Sequence, residues 1–450
     1  TCAPSVAGHC WTVEKLGVPT APVVTRVFRD LVTTYAFKKG MPNERFTFVP
    51  HPVTGMPAAV CRKYLEGDDP LTGKPVIQEI IAALTRPLSA EDKKTGFIER
   101  PTPRLVNPDT AENLSRLFVE NGWTDGLPIV LPTEARVAEM LKGTSHKADE
   151  LVGKMQPSSP HEAWSYTVEK VAVNAVMAGA KPEYFPVILA LASTGVPSIF
   201  TSTTSFARMV VVNGPVRNEI KMNSGIGALG PFNQANSVIG RAWTIMSLNL
   251  DGGGKPGETY MGSQGNNFNY NNLCMPENEE QLPEGWLPFH VQKGYKPQDS
   301  VVSTFSGWGF THPDQSFGKP FHTQIPFWLT FVSPFSPVTL LLDPTIIEQL
   351  KDREGFDSKE QLIDWIYKNT FVTVGDWLDD FYSVQNFILP TARQGVEPFA
   401  TWMKLPRDAK IPQIARPSSI NIISVGGGTN LFWQAGDFGY VSSASVDKWR

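Results

Sequence analysis

The 450-residue chain is short of charge, of cysteine and of long apolar runs, and each shortage excludes something. Charged residues make up 19% of it, with 40 Lys and Arg against 44 Asp and Glu, a formal net charge of −4. No basic excess and no basic run is present, so the electrostatic footprint of a nucleic-acid binder or a membrane-surface patch is missing. The longest apolar runs, such as Phe185–Ala192, fall short of the roughly 20 residues that a membrane-spanning helix needs. No signal peptide is visible. Cys2, Cys10, Cys61 and Cys274 are too few for a disulfide framework in a chain this long, so a reducing, cytoplasmic setting is expected. The His-Glu-x-x-His pattern is missing too. His161-Glu162 opens it, but Ser165 stands where the second histidine is needed, and the sequence points to no metal.

Aromatic residues, by contrast, reach 11% with 12 Trp, spread over a chain whose length suits two to three domains. The 37 Gly and 38 Pro, about a sixth of all residues, predict many turns and ordered loops. Short strand signals at Pro22-Val23-Val24 and Phe46–Val49 alternate with helical spacing over Arg26–Ala36 and Val76–Leu84, the latter with Ile77, Ile80, Ile81 and Leu84 on one side. Residues 86–108, with Pro87, Pro101, Pro103 and Pro108, read as a linker. Beyond it, Asp109 predicts a helix start with Glu112 three residues on, and Ile129-Val130-Leu131 a short strand. Ala163–Ala178 and Tyr184–Ala192 read as buried helices, Met209–Val212, Val338–Leu342 and Ile420–Val425 as buried strands, and Gln361–Tyr367 as an amphipathic helix. The expected fold is α/β: part of a doubly wound parallel sheet over residues 1–85, then a larger α/β domain over 109–450. Two strands do not make a parallel sheet, which needs cover on both faces. The N-terminal sheet is therefore expected to be completed by an upstream segment or a second chain, or else by strands from the rest of this one. No repeat at a solenoid period is visible.

The stretch Thr1-Cys2-Ala3-Pro4-Ser5-Val6-Ala7-Gly8-His9-Cys10 is chemically the most informative. A cysteine at a helix N-terminus has its thiolate favoured by the aligned amides. A second cysteine beside His9 offers a resolving thiol or a shared metal ligand. The plain alternative is two small buried residues and a solvated histidine, and Cys-x7-Cys matches no standard redox or zinc spacing. Together, Thr1-Cys2, Val13-Glu14-Lys15-Leu16-Gly17-Val18-Pro19 and Phe48-Val49-Pro50-His51-Pro52 resemble the C-terminal half of the small (seleno)proteins with a Sec/Cys-Gly-Ser/Thr-Cys motif. More distantly they resemble selenoprotein B of the glycine, sarcosine and betaine reductases. The resemblance spans roughly the first 60 to 85 residues and implies that Thr1-Cys2 end that motif, with selenocysteine or cysteine and a glycine just upstream. It departs where the family has a second nearby cysteine, replaced here by Ser5 or displaced to Cys10. The resemblance implies thiol or selenol chemistry, with Cys2, Cys10, His9 and His51 as candidate catalytic residues. Asn121-Gly122-Trp123-Thr124-Asp125-Gly126-Leu127-Pro128 is similar to a domain found with this family. Thr1 carries a separate expectation. If its end arises by processing and not by trimming, its α-amine and hydroxyl are the pair used by N-terminal nucleophiles.

Two Asn/Gly-rich segments form the second candidate site. Asn213-Gly214-Pro215 and Asn223–Gly230, continued by Asn233, Gln234 and Asn236, make the first; Met261–Asn267 makes the second. Glycines let backbone approach a ligand, and neutral amides fix its orientation. Asn213, Asn223, Asn233, Gln264 and Asn266 are thus expected to line one pocket for a small uncharged or anionic substrate; tight loops packing on each other are the alternative. Gly225–Gly230 matches G-x-G-x-x-G formally, without the crossover helix of a dinucleotide site. Val425-Gly426-Gly427-Gly428-Thr429-Asn430 closes a strand where open α/β sheets bind ligands. Glu169, on an apolar helix, is a candidate acid or base unless it pairs with a cation such as Arg217; Asp125 reads as a turn or cap residue. The overall expectation is an oligomeric enzyme acting on a small polar molecule through an N-terminal thiol site, with no cofactor identified. Hydrolase or lyase chemistry through Thr1 or a metal, and a structural subunit of a complex, are the alternatives.

Overall fold

In the strand Ala207–Asn213 all seven residues are buried, and their alternation sorts two environments. Val210 and Val212 join Val302 under the helices Val168–Met177, Phe185–Ser193 and Gln234–Met246. Ala207, Met209 and Val211 point the other way, onto Phe305, Met275, Leu341 and Ile423. Leu341 and Ile423 belong to a second sheet, whose opposite face carries Val338, Leu340, Leu342, Ile420 and Ile422 beneath the helices Pro344–Asp352 and Lys359–Asn369. The period of two along each strand therefore builds four layers, helix–sheet–sheet–helix, with apolar cores at all three boundaries. The computed structural model describes residues 3–94, 103–154, 165–312, 319–380, 384–385, 388–429 and 431–450. The fold is α/β, with parallel and mixed sheets.

The two four-stranded sheets share one topology. In the first the order is Gly439–Ser445, Val301–Gly307, Ala207–Asn213, Cys274–Pro276; in the second it is Phe310–Thr311, Trp433–Gly436, Val338–Leu342, Ile420–Ser424. In each, the last two strands are parallel and the other pairings antiparallel. Strands 207–213, 274–276 and 301–307 thus correspond to 338–342, 420–424 and 433–436. The fourth strand of each unit crosses to the other unit's sheet: 310–311 follows 301–307 in the chain but pairs with 433–436, and 439–445 pairs back with 301–307. The crossing is held by Asp437, whose Oδ1 accepts from the amides of Trp308 (2.8 Å) and Gly309 (3.3 Å).

The N-terminal unit carries the parallel pair Val23–Thr25 and Thr47–Val49 with the helices Ala3–Glu14, Arg29–Lys38, Ala58–Glu66 and Val76–Thr85. Its small core is Ala3, Val24, Val32 and Phe48. Buried Asp69 fixes the second strand by accepting from Phe48 N at 2.6 Å and Leu71 N at 2.7 Å. Its sheet has two strands among the described residues. On Val76–Thr85 the apolar stripe is left largely uncovered: Ile77, Ile81 and Leu84 are 46%, 54% and 42% exposed, while Val76 and Ala83 are buried. Part of the expected linker folds back on this unit, where Arg45 bonds Arg86 O (2.8 Å), Pro87 O (3.0 Å) and Asp92 (2.7 Å).

Other local expectations shift by a residue or a turn. Thr110, not Asp109, caps Ala111–Glu120 by accepting from Asn113 N, since a β-region hydroxyl at that position reaches the third amide. Ile129–Leu131 forms no ladder; its backbone meets Met177 O through Val130 N (3.2 Å). The apolar run before Met177 starts as the strand Ser165–Thr167 and turns helical at Val168, with Thr167 as the cap. Among the described residues no helix is long and apolar enough to cross a membrane.

Candidate functional site

Thr1 and Cys2 lie outside the described residues. The helix that follows begins at Ala3, so the chain directly after Cys2 is helical. His9 is exposed on that helix, and Cys10 is half-buried one position further. Burial raises the Cys10 thiol above its ordinary value; Thr20 opposes this, and Glu44 and Glu14 add to it. Such surroundings keep a thiol protonated, the opposite of what a nucleophile or metal ligand needs. Burial also pushes Glu44 up to about 7, with Glu14 reinforcing and Arg45 opposing. Glu14 itself accepts from Thr20 N (3.2 Å) and Oγ1 (2.8 Å). Trp11, Glu14, Lys15 and Glu44 line a cleft of about 480 Å³ here. His51 pairs with Thr25 Oγ1 through Nδ1 (3.2 Å) and sets its ring edge-on to Phe28 at 5.8 Å. Cys274 is fully buried and its thiol is pushed up to about 12.

The Asn/Gly segments line two cavities, not one. Most amides of the first are consumed in shaping their own loop. Asn233 Nδ2 donates to Gly227 O (2.7 Å) and Gly230 O (3.0 Å), and Asn236 Nδ2 to Asn223 O (2.9 Å). Asn223 Nδ2 reaches Asn233 Oδ1 at 2.9 Å. Gly227–Gly230 then meets Val425, Gly426 and Phe432 around a small cavity of about 220 Å³. A Cβ at Gly427 would sit 2.3 Å from Ile226, so the two glycine-rich loops pack on each other. Asn213 is buried, and its amide donates to Glu277 (2.7 Å) and Glu279 (2.8 Å). Glu169 pairs with Arg104 at 2.7 Å, which also holds Glu134, so its carboxylate is neither isolated nor paired with Arg217.

The second segment does line a substantial cavity, about 580 Å³, with Gln264, Gly265, Asn266, Asn267, Asn269 and Tyr270 on one side and Thr124–Gly126 on another. Asp125 does more than turn the chain. Its carboxylate receives Arg241 Nε (2.7 Å) and Nη2 (2.9 Å), and Nη2 also reaches Pro128 O (2.8 Å). This fork fixes the Trp123–Pro128 turn to the helix Gln234–Met246. One turn on, Thr244 lines the cavity and ties down the opposite wall by donating to Asn269 O (2.7 Å). Gly240 lets helix and wall meet: a Cβ there would fall 1.8 Å from Asn271 O. Asn266 is a cap, accepting from Phe268 N (3.0 Å) and donating to Trp308 O (2.7 Å). Ile199, Leu248, Gly254, Pro256 and Tyr260 complete the lining. Among the described residues no group of three or more His, Cys, Asp or Glu side chains is placed to hold a metal.

Residues 1–66 match the UGSC family model. This UGSC-like stretch takes in the helix after Cys2, both parallel strands and Pro50-His51-Pro52, and ends with the helix Ala58–Glu66. No curated protein and no solved structure matches the chain. Arg241, Thr244 and the tyrosines escaped the sequence reading. An apolar helix and an aromatic loop carry no signal of a shared wall, and Arg241 lies 116 residues from Asp125.

Proposed function

We propose that the chain is a thiol-dependent enzyme acting on a small polar molecule, with Cys2 of the UGSC-like stretch as its reactive thiol. The carrying observation is the family match over residues 1–66 together with a twelve-residue helix that starts immediately after Cys2. An N-terminal helix dipole favours thiolate at that position. Redox chemistry of the thiol–selenol kind, as in the distant likeness to selenoprotein B, is the reading this favours. In it, substrate occupies the Asn/Gln-lined cavity. A second chain completing the two-stranded N-terminal sheet belongs to the same proposal, supported by the outward Ile77, Ile81 and Leu84. The test is alkylation resolved by residue and by pH. Cys2 should label at least tenfold faster than Cys10 and Cys274 at neutral pH, as expected of a thiolate against two raised thiols. Labelling of Cys2 no faster than Cys10 refutes the assignment.

A further inference from the structure

We infer that the cavity between Thr124–Gly126 and Gln264–Tyr270 takes a neutral, polyhydroxylated ligand, a sugar or cyclic polyol. This deepens the proposed reading by naming the ligand class of its substrate cavity, and it rests on that reading for its catalytic meaning alone.

The argument begins with charge. Among the described residues lining the cavity, Asp125 alone is ionisable at neutral pH, and its carboxylate is occupied by both donors of the Arg241 fork. Among the described residues no lysine, arginine or histidine lines the wall. An anionic ligand would lose hydration with no cation to replace it, and a cationic one would compete with a bidentate partner already in place. What the wall does offer is neutral and two-sided. Gln264 and Asn267 are exposed on it, and each carboxamide carries an acceptor and two donors. Vicinal hydroxyls, which also both donate and accept, are the matching chemistry. The third component is aromatic. Tyr270 is 50% exposed beside these amides, and Pro256 and Tyr260 add further ring surface. A pyranose or cyclitol has an apolar C–H face for such a ring and hydroxyls around its rim for the amides. The volume, about 580 Å³, lies within the range of small-molecule sites. The wall is also fixed before a ligand arrives, because Asn266, Thr244 and Arg241 spend their bonds on backbone and on Asp125.

The experiment is isothermal titration and thermal shift on the full chain carrying Cys2→Ser. Loss of thiol chemistry then cannot affect the result, and failure here is distinct from failure of the thiol assignment. The probes are D-glucose, D-ribose, maltose and myo-inositol, with D-glucuronate and D-glucosamine as charged counterparts. At least one neutral probe should bind at millimolar concentration, with its charged counterparts at least tenfold weaker. Tyr270→Ala and Gln264→Leu, both at exposed positions that leave the fold intact, should each weaken that probe by about three- to tenfold, the effect of losing one stacking or hydrogen-bonding group. Binding of D-glucuronate or D-glucosamine as tightly as the neutral sugars overturns the inference. So does unchanged affinity in both variants, or the absence of binding by all four neutral probes.

Discussion

Removing Lys359 should open the seam between the two sheets. Its ammonium and the Glu277 carboxylate are both fully buried, 2.6 Å apart. Glu277 follows the edge strand Cys274–Pro276 of the first sheet. Its Oε1 also accepts from Ser424 N (3.4 Å), at the end of edge strand Ile420–Ser424 of the second. Its Oε2 accepts from Asn213 Nδ2 (2.7 Å) and Phe289 N (2.6 Å). Breaking a buried pair from one side costs about 3–5 kcal/mol, because the remaining charge has neither water nor counter-ion. Three donors stay on Glu277 in Lys359→Met, so we predict the lower end, about 3 kcal/mol, roughly a hundredfold in an equilibrium constant. A chain of several packed units need not unfold in one step, so the assay is native-state hydrogen exchange read on peptides covering 274–277 and 420–424. Lys359→Met should lower protection there by about a hundredfold, whereas the exposed-pair variant Lys368→Met should change it by less than about threefold. Adding Glu277→Gln, which keeps the acceptor and removes the charge, should restore most of the loss. A change below about 1 kcal/mol in Lys359→Met, or a double variant as damaged as the single one, refutes the reasoning.

Glu44 supplies a pH prediction. Its folded value of about 7 lies above its ordinary 4.5, so protonation stabilises the fold. That stability is complete below pH 4.5 and is lost as pH rises through 7. Solvent screening at a partly exposed carboxyl reduces the effect to about 1–2 kcal/mol, and urea midpoints of Glu44→Gln against wild type should separate progressively between pH 4.5 and 7 and stay apart above it, with the variant the more stable; parallel pH profiles would remove Glu44 from the account. Arg241→Met should free Asp125 and loosen the Trp123–Pro128 turn, read as faster proteolysis near residues 123–128 and weaker binding in the adjoining cavity, and identical digestion patterns would show that the fork does not hold the turn. Asp437→Ala should unpin the Trp308 and Gly309 amides at the strand crossing and cost about 1–3 kcal/mol, measured by thermal unfolding, with a loss under about 0.5 kcal/mol counting against that role.

How much of this the sequence carried depends on the range of the interactions involved. Val338–Leu342 was legible to the residue, and Met209–Val212 lay inside the observed strand, because a buried strand is an apolar run that needs no partner to be recognised. The Thr110 cap was misplaced by one position, since Asp109 and Thr110 are both able caps and the choice depends on backbone dihedrals. The outward stripe of Val76–Thr85 shows the limit of periodicity: it identifies a helix with two faces and does not say which face a neighbour covers. The duplicated sheet was invisible for a deeper reason. Its two units share strand order and direction, but what they need in common is only apolar alternation and a tight crossing. Gly307-Trp308-Gly309-Phe310 and Gly436-Asp437-Phe438-Gly439 meet that second need with different residues. A Cβ at Gly307 would fall 2.8 Å from Phe438, and one at Gly436 2.6 Å from Gly309 O, so each unit spends a glycine to let the other's fourth strand cross. The exchange also bears on function. Asn266 donates both to Ser205 O (3.1 Å), ahead of the first unit's opening strand, and to Trp308 O (2.7 Å), at the crossing that Asp437 pins. One wall of the polar cavity is thereby anchored where the two units interlock, and a change at the crossing should reach the ligand through Asn266 before it reaches either core.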